Sequence, residues 1–281
     1  MMSRIVVITG ASGGIGAALA RRLAFDGARL VLAARREREL EKVAAETLKL
    51  GAKDAVPVVA DVTRKSDVFR IRDRALETRG RIDVWVNNAG RGITRSVLDL
   101  TDEDVDQIIA VNLKSAIYGI QAVVPHFVER GSGHLINVSS FLGRVPVASF
   151  RSIYSAAKAA LNSLTANLRM DLRQYPGIHV SLVMPGVVTT DFARNVMGEA
   201  RPPMNAGAPG SSTMRAQTPE EVAERIAELI KVPLAEVYTN PASAEIARRY
   251  FADVYAFEEA MPHPAARDGQ TTQPSSDEAR P

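Results

Sequence analysis

Tyr154 and Lys158 stand four residues apart in "YSAAKAAL", a run that reads as helix. At that spacing two side chains share one helix face. A free tyrosine titrates near about 10 and is a poor acid–base group at neutral pH. A nearby ammonium favours the phenolate and lowers that value, and a proton donor so tuned is what carbonyl reduction needs. Alone, the pair is common on helices. Upstream, "HLINVSS" is an apolar strand ending in Ser139 and Ser140, hydroxyls suited to holding a carbonyl oxygen or to capping a turn. "VWVNNAG" ends another strand with Asn87, Asn88, Ala89 and Gly90, small enough to let backbone approach a flat ligand. Asn112 interrupts an otherwise apolar helix in "AVNLKS", and a buried amide needs partners, structural or catalytic.

A second constellation is "TGASGGIG", Thr9 to Gly16, between the apolar "RIVVIT" and the alanine-rich "AALARRLAFDG". Strand, glycine turn and helix in that order suit a pyrophosphate at a helix N-terminus. The glycines allow two spacings, Gly10–Gly14–Gly16 and Gly10–Gly13–Gly16, neither of them the commoner G-x-G-x-x-G.

These residues need a frame. The 281 residues alternate strand-like and helix-like patterns, which argues for βαβ units and a parallel sheet. Predicted strands are Ile5–Thr9, Arg29–Ala34, Val56–Ala60, Ile82–Val86, His134–Val138, His179–Met184 and Glu236–Thr239. Predicted helices are Gly14–Phe25, Glu37–Leu50, Lys65–Arg79, Asp102–Glu129, Ile153–Gln174 and Pro219–Ile230. Most strands are continuous Val/Ile/Leu runs, as expected of strands buried on both faces. The fold class is therefore α/β, doubly wound, with 1–261 read as one domain. The chain has no cysteine, which excludes disulfides and thiolate metal sites, and its four histidines show no ligand spacing, so no metal is expected. A net charge of +3, spread along the chain, does not argue for nucleic acid. No run of 18 apolar residues and no charged-then-apolar leader is present, so no membrane span and a cytoplasmic protein are expected.

Taken in order, "TGASGGIG", "NNAG", Asn112, "NVSS", "YSAAK" and "PGVVTT" resemble the short-chain dehydrogenase/reductase family, in its single-domain branch, over roughly Ser3 to Asn240. The resemblance implies a Rossmann-like sheet of about seven parallel strands and hydride transfer between a nicotinamide cofactor and an alcohol/carbonyl pair. It implies Tyr154 as general acid in reduction and base in oxidation, and Lys158 lowering the tyrosine's pKa and holding the nicotinamide ribose. Ser140, rather than Ser139, holds the substrate oxygen, and Asn112 anchors a water of the proton relay. It selects Gly10, Gly14 and Gly16 as the phosphate cradle, with Ser12 and Ile15 beside them. Asp61 meets the adenine with Val62, Asn88 braces the sheet, and Ala89 and Gly90 line the cofactor. Pro185, Gly186, Val188 and Thr190 hold the carboxamide. A homodimer or homotetramer built from the two long helices also follows from the resemblance.

The acid that favours NAD is expected where Ala34 stands, and Arg35 and Arg36 follow. Arginine matches a 2′-phosphate, so NADP(H) is expected, with Arg35 as main contact. Gly13 stands where many NADP-using members carry a second basic residue. Phe141, Val147, Phe150, Arg144, Arg151 and Met184 should border the substrate, under a lid at about 192–217, for an apolar carbonyl or secondary alcohol. Ile246, Tyr250, Phe251, Val254 and Phe257 mark one face of a last helix, which packs in the core or between subunits or covers the substrate. Residues 262–281 read as a disordered tail. The rival of another class is a non-catalytic NADP-binding sensor or scaffold. An extended-branch epimerase needs a substrate domain that the short stretch after Asn240 does not supply.

Overall fold

The computed structural model describes residues 3–190, 196–198 and 215–261. The segments predicted as lid and tail therefore lie largely or wholly outside the described residues. Strands β1 (Ile5–Thr9), β2 (Arg29–Ala34), β3 (Asp54–Val59), β4 (Val84–Asn87), β6 (Gly133–Val138), β7 (Ile178–Met184) and β9 (Glu236–Tyr238) form one sheet. Two-residue strands β5 (Ile93–Thr94) and β8 (Met197–Gly198) pair separately. The seven-stranded order is β3-β2-β1-β4-β6-β7-β9, and its pairs are all parallel. Chain order reverses between β1 and β4, and in such sheets ligands bind beyond the carboxyl ends at that switch.

Alternation along each strand feeds two apolar layers. Val6, Ile8, Leu30 and Leu32 face α1 (Gly14–Phe25), α2 (Glu37–Lys49) and α7 (Pro219–Lys231), through Leu19, Leu40 and Ile226. Val7, Val31 and Trp85 face α3 (Lys65–Arg79) and α5 (Ser115–Arg130), through Ile71, Val123 and Phe127. The fold is Rossmann-like, with helices on both sheet faces.

The helical run Asp102–Arg130 is long and apolar enough, by length and composition, to cross a membrane. It opens on an acidic capping box at Thr101 and Asp104, and it presents Ala122, Val123 and Phe127 to the sheet. It divides into α4 (Asp102–Ile109), one wide π turn over Ala110–Lys114, and α5. The expected last helix is likewise divided, at Asp253, into α8 (Ser243–Ala252) and α9 (Val254–Glu259). Ile246 and Phe257 are buried with Phe141, whereas Phe251 and Val254 are exposed. The break rotates the second half out of the expected single stripe, because Asp253 caps α9 by accepting the Ala256 N–H at 2.9 Å.

Candidate active site

β1 delivers the glycine loop to the switch point. Gly10 (φ 68°) and Gly14 (φ 52°) are left-handed, a conformation that side chains with a Cβ rarely adopt. A Cβ on Gly16 would lie 2.5 Å from the Gly10 carbonyl oxygen and 2.6 Å from Asn88 Nδ2. Gly13 is extended (φ −179°), which any residue tolerates. The glycines that the backbone requires are thus Gly10, Gly14 and Gly16. Beneath the loop, the Thr9 hydroxyl donates to the Val86 carbonyl at 3.3 Å and accepts the Asn88 and Ala89 N–H groups at 3.0 and 3.1 Å. Asn88 Nδ2 returns a bond to the Thr9 carbonyl at 2.8 Å. Thr9 was not singled out from sequence, where it reads only as the last strand residue. Ile15 packs half-buried against the core below.

The cation that reaches this loop is Arg36. Its Nε donates to Ser12 Oγ at 3.2 Å and its Nη2 to the Ser12 carbonyl at 3.1 Å. A Cβ on Gly13 would meet Arg36 Nη2 at 2.8 Å. Arg35, expected to lead, is exposed beside it. The Thr190 methyl lies 3.4 Å from a Cβ built on Gly14, so "PGVVTT" folds against the loop. Its Pro185 carbonyl accepts the Phe141 N–H at 2.8 Å, Gly186 follows, and Val188 bridges Gln217. Asp61 follows the end of β3; its Oδ1 accepts from the Thr63 N–H (3.0 Å) and hydroxyl (2.8 Å), and Val62 is buried. A cradle that a Cβ would fill, under a guanidinium, at the carboxyl ends of the strands fits the pyrophosphate of a nicotinamide dinucleotide.

Of the residues expected to be catalytic, Tyr154 and Lys158 lie on α6 (Ser152–Asp171), Ser140 just past β6 and Asn112 in the π turn. Tyr154, Lys158, Ser140 and Asn112 are all buried. Ser139 and Ser140 part company. Ser139 Oγ donates to Asn162 Oδ1 (2.6 Å), with the Lys158 carbonyl at 3.2 Å, and holds α6 on β6. Ser140 Oγ accepts the Leu142 N–H at 3.2 Å, and its hydroxyl favours the Tyr154 phenolate. Lys158 Nζ donates to the Val138 carbonyl at 3.0 Å and lies 5.8 Å from the Tyr154 ring centroid. A Cβ on Gly90 would fall 3.0 Å from Asn112 Oδ1 and 3.7 Å from Lys158 Nζ, so these three predicted residues converge. Asn112 sits in the π turn, a distortion frequent at functional sites. Its side chain is committed: Nδ2 donates to the Arg91 carbonyl (2.8 Å) and Oδ1 accepts the Arg91 N–H (3.2 Å).

Burial pushes Tyr154 above its ordinary value of 10; the Ser140 hydroxyl and the charge of Arg151 oppose it. Burial also brings the Lys158 ammonium down to about 8. Lys158, the cation expected to act on Tyr154, keeps its ammonium facing that ring while it bonds the end of β6. A buried polar chain locks the scaffold: Trp85 Nε1 to Asn87 Oδ1 (2.8 Å), Asn87 Nδ2 to Asn137 Oδ1 (2.8 Å), and Asn137 Nδ2 to Thr165 Oγ1 (2.9 Å). Of these residues only Asn87 was singled out from sequence; Asn137, polar in an apolar strand, was a signal left unread.

Around the tyrosine lie Ile93, Ile108, Leu142 and Met197. Phe141, expected at the pocket, turns into the core beneath α8, because Ile246 and Phe257 close over it. Arg144 reaches Glu236 at 2.6 Å and the Met184 sulfur at 3.7 Å. Arg151 Nη1 donates to the Ile93 carbonyl at 2.9 Å, and its guanidinium lies 5.6 Å from the Phe150 ring centroid.

A parallel sheet with a glycine phosphate cradle at its switch point, beside a buried Ser–Tyr–Lys set, defines a nucleotide-dependent oxidoreductase. The profile of the short chain dehydrogenase family matches residues 4–200, and the chain belongs to that family. It is similar to the uncharacterized oxidoreductase YxnA of Bacillus subtilis (strain 168), at 35% identity over 249 residues, 88% of this chain and 68% of that one. Among solved structures it resembles a short chain dehydrogenase/reductase from Burkholderia phymatum in complex with NAD (28% identity, TM-score 0.79, 90% of this chain and 95% of that one). It also resembles an alcohol dehydrogenase from Thermococcus sibiricus complexed with 5-hydroxy-NADP (29% identity, TM-score 0.72, 84% of this chain and 96% of that one). The chain is therefore an oxidoreductase of the short-chain type that uses a nicotinamide cofactor on CH–OH/C=O groups.

Proposed function

We propose that the protein is an NADP(H)-dependent carbonyl reductase or secondary-alcohol dehydrogenase. The observation that carries this reading is the gathering of buried Ser140, Tyr154 and Lys158 at the carboxyl ends of the central strands, with the Lys158 ammonium 5.8 Å from the Tyr154 ring centroid. Ser140 Oγ donates to the substrate oxygen and orients the carbonyl. The Tyr154 phenol, kept protonated by burial, gives its proton to that oxygen as negative charge develops there. Lys158, charged at neutral pH, holds the ribose side of the pocket and faces the tyrosine ring. Asn112 acts through Arg91, whose backbone it clamps just after Gly90. The bound nicotinamide ring supplies the hydride. Gly10, Gly14 and Gly16 admit the pyrophosphate, with Asp61 and Val62 toward the adenine. Pro185, Gly186, Val188 and Thr190 hold the nicotinamide end, and Asn88 and Ala89 line the floor.

NADP(H) is preferred because Ala34 places no carboxylate at the ribose and Arg36 already lies over the loop. Solved relatives carry either cofactor, so the residues of this chain decide the matter. Ile93, Ile108, Leu142 and Met197 support an apolar substrate. Residues 1–261 act as one catalytic domain, and the exposed faces of α5 and α6 serve a homodimer or homotetramer, which sedimentation measures.

A panel of carbonyls and alcohols with both cofactors tests the reading. Turnover should be faster with NADPH than with NADH. Arg36→Ala should weaken NADPH binding by about tenfold or more, the loss of one charge-assisted contact, and leave NADH binding little changed. Tyr154→Phe should lower turnover by about 10²–10⁴-fold with NADPH binding retained. Equal activity with NADH overturns the cofactor assignment. NADPH binding without turnover on any substrate selects the sensor alternative.

A further inference from the structure

Asn162 lies on α6, eight residues after Tyr154 and four after Lys158, so the three side chains leave one side of the helix. An asparagine inside a helix costs some stability relative to alanine, and a buried amide must find partners. Asn162 is buried, and both ends of its amide are used. Oδ1 accepts the Ser139 hydroxyl at 2.6 Å, and Nδ2 donates to the Gly143 carbonyl at 2.9 Å. The Gly143 carbonyl can only accept, which fixes the orientation of the amide. The two partners flank Ser140, one residue before it and three residues after it.

The segment bridged in this way is short and closely seated. Ser140 leads into one tight turn, Phe141–Gly143, and its hydroxyl accepts the Leu142 N–H at 3.2 Å. Toward β7 the backbone holds it: the Ser139 N–H donates to the Val183 carbonyl and the Phe141 N–H to the Pro185 carbonyl, each at 2.8 Å. Toward α6 the Gly143 backbone lies on the helix itself. A Cβ there would fall 2.6 Å from the Lys158 carbonyl carbon and 2.9 Å from the Ala159 nitrogen. Ser140 thus rides on the sheet end, Tyr154 and Lys158 ride on α6, and Asn162 is a side chain of the helix bonded to both flanks of the serine.

We propose that Asn162 is a positioning residue of this site: bridging Ser139 and Gly143 to α6, it fixes where the Ser140 hydroxyl stands relative to Tyr154 and Lys158. The proposal rests on the reading of Ser140 as the group that holds the substrate oxygen. That oxygen must meet the serine hydroxyl and the tyrosine phenol at once, and a misplacement of about 1 Å costs such an arrangement about 10²-fold in rate. The arm to Gly143 carries the greater part of the effect, because Ser139 is also fixed by its backbone bond to Val183.

The experiment sets Asn162→Ala beside Thr165→Val and Ser140→Ala, read by steady-state kinetics, NADPH titration and hydrogen exchange. Asn162→Ala should lower kcat by about 10–100-fold and leave NADPH affinity unchanged, because the glycine cradle and Arg36 are untouched. Exchange of the Leu142 and Gly143 amides, both bonded to Ser140, should speed up relative to the amides of β6. Thr165→Val removes another buried hydrogen bond between α6 and β6, the one to Asn137, away from the Ser140 turn. It should lower Tm and keep kcat, which separates lost position from lost stability. Parental kcat in Asn162→Ala overturns the proposal, as does unaltered exchange of the turn or an equal kcat loss in Thr165→Val. Parental kcat in Ser140→Ala overturns the reading of Ser140, and the proposal falls with it. Asn162→Ser, too short to span both partners, serves if the alanine variant loses its near-ultraviolet circular dichroism, and collapse of both overturns the proposal in favour of a folding strut. Exchange needs no substrate, so after a failed search for turnover that arm decides.

Discussion

Ser139 and Ser140 carry the same hydroxyl on adjacent residues, yet extended backbone sends them to opposite sides. One is consumed in bonds to Asn162 and the Lys158 carbonyl; the hydroxyl of the other favours the Tyr154 phenolate. Ser140→Ala should therefore cut turnover by about 10²–10³-fold, as loss of one donor to a developing oxyanion does, with little change in Tm. Ser139→Ala should do the reverse, lowering stability by about 1–3 kcal/mol through the stranded Asn162 oxygen and sparing most of kcat. Steady-state kinetics and thermal melts on both variants check this, and equal kinetic losses contradict it. At this scale residue types were legible and partners were not. Arg36 rather than Arg35 covers the loop, because helix entry angles and burial are not written in spacing.

Among the elements, the β1–loop–α1 unit depends on one close approach. Gly16→Ala places a methyl 2.5 Å from the Gly10 carbonyl oxygen, a backbone atom that cannot step aside. The expected cost is about 1–3 kcal/mol of stability, as for other overpacked sites, with loss of NADPH binding. Gly13→Ala is the control: its new methyl meets only the end of the Arg36 side chain. It should stay within about 0.5 kcal/mol of the parent. Denaturant melts and fluorescence titration separate the two, and a Gly16→Ala protein that binds NADPH normally defeats the prediction.

Element bounds were largely legible. β1, β2, α1 and α3 start and stop where apolar runs and glycines predict. Thr218 and Glu221 form a full capping box ahead of Pro219, and Asp104 completes the one at Thr101 despite its short side chain. Three features were not legible. β5 and β8 have two residues each, too few for a period. The π turn leaves no sequence signal beyond the lone Asn112, and the break at Asp253 depends on Phe257 finding Phe141 across the fold.

For the whole molecule, one buried base links stability to pH. Ser181 donates to the Leu234 carbonyl at 2.6 Å, so the His134 Nε2–H is the donor in their 2.8 Å bond and the ring is neutral. Burial drops the imidazole from its ordinary 6.5 to about 3. Between those values the unfolded chain binds the proton and the folded one does not, so stability falls as pH drops from 6.5 toward 3. The loss amounts to a few kcal/mol, on the order expected of a shift of several units. His134→Gln keeps a donor for Ser181 and should flatten that limb of the Tm–pH curve. An unchanged limb assigns acid lability elsewhere.

Sequence alone determined the fold class, the order of elements and the family. Apolar periodicity is a local property of the chain, and glycines, prolines and caps punctuate it wherever backbone geometry demands. The tertiary structure decided which glycines are obligatory, which serine is tied up in bonds to α6, which arginine lies over Ser12 and where the Lys158 ammonium sits against the tyrosine ring. Those outcomes depend on contacts between residues tens of positions apart, and on how much water burial removes from each charge. Neither quantity exists until β1, β4, β6 and α6 have come together.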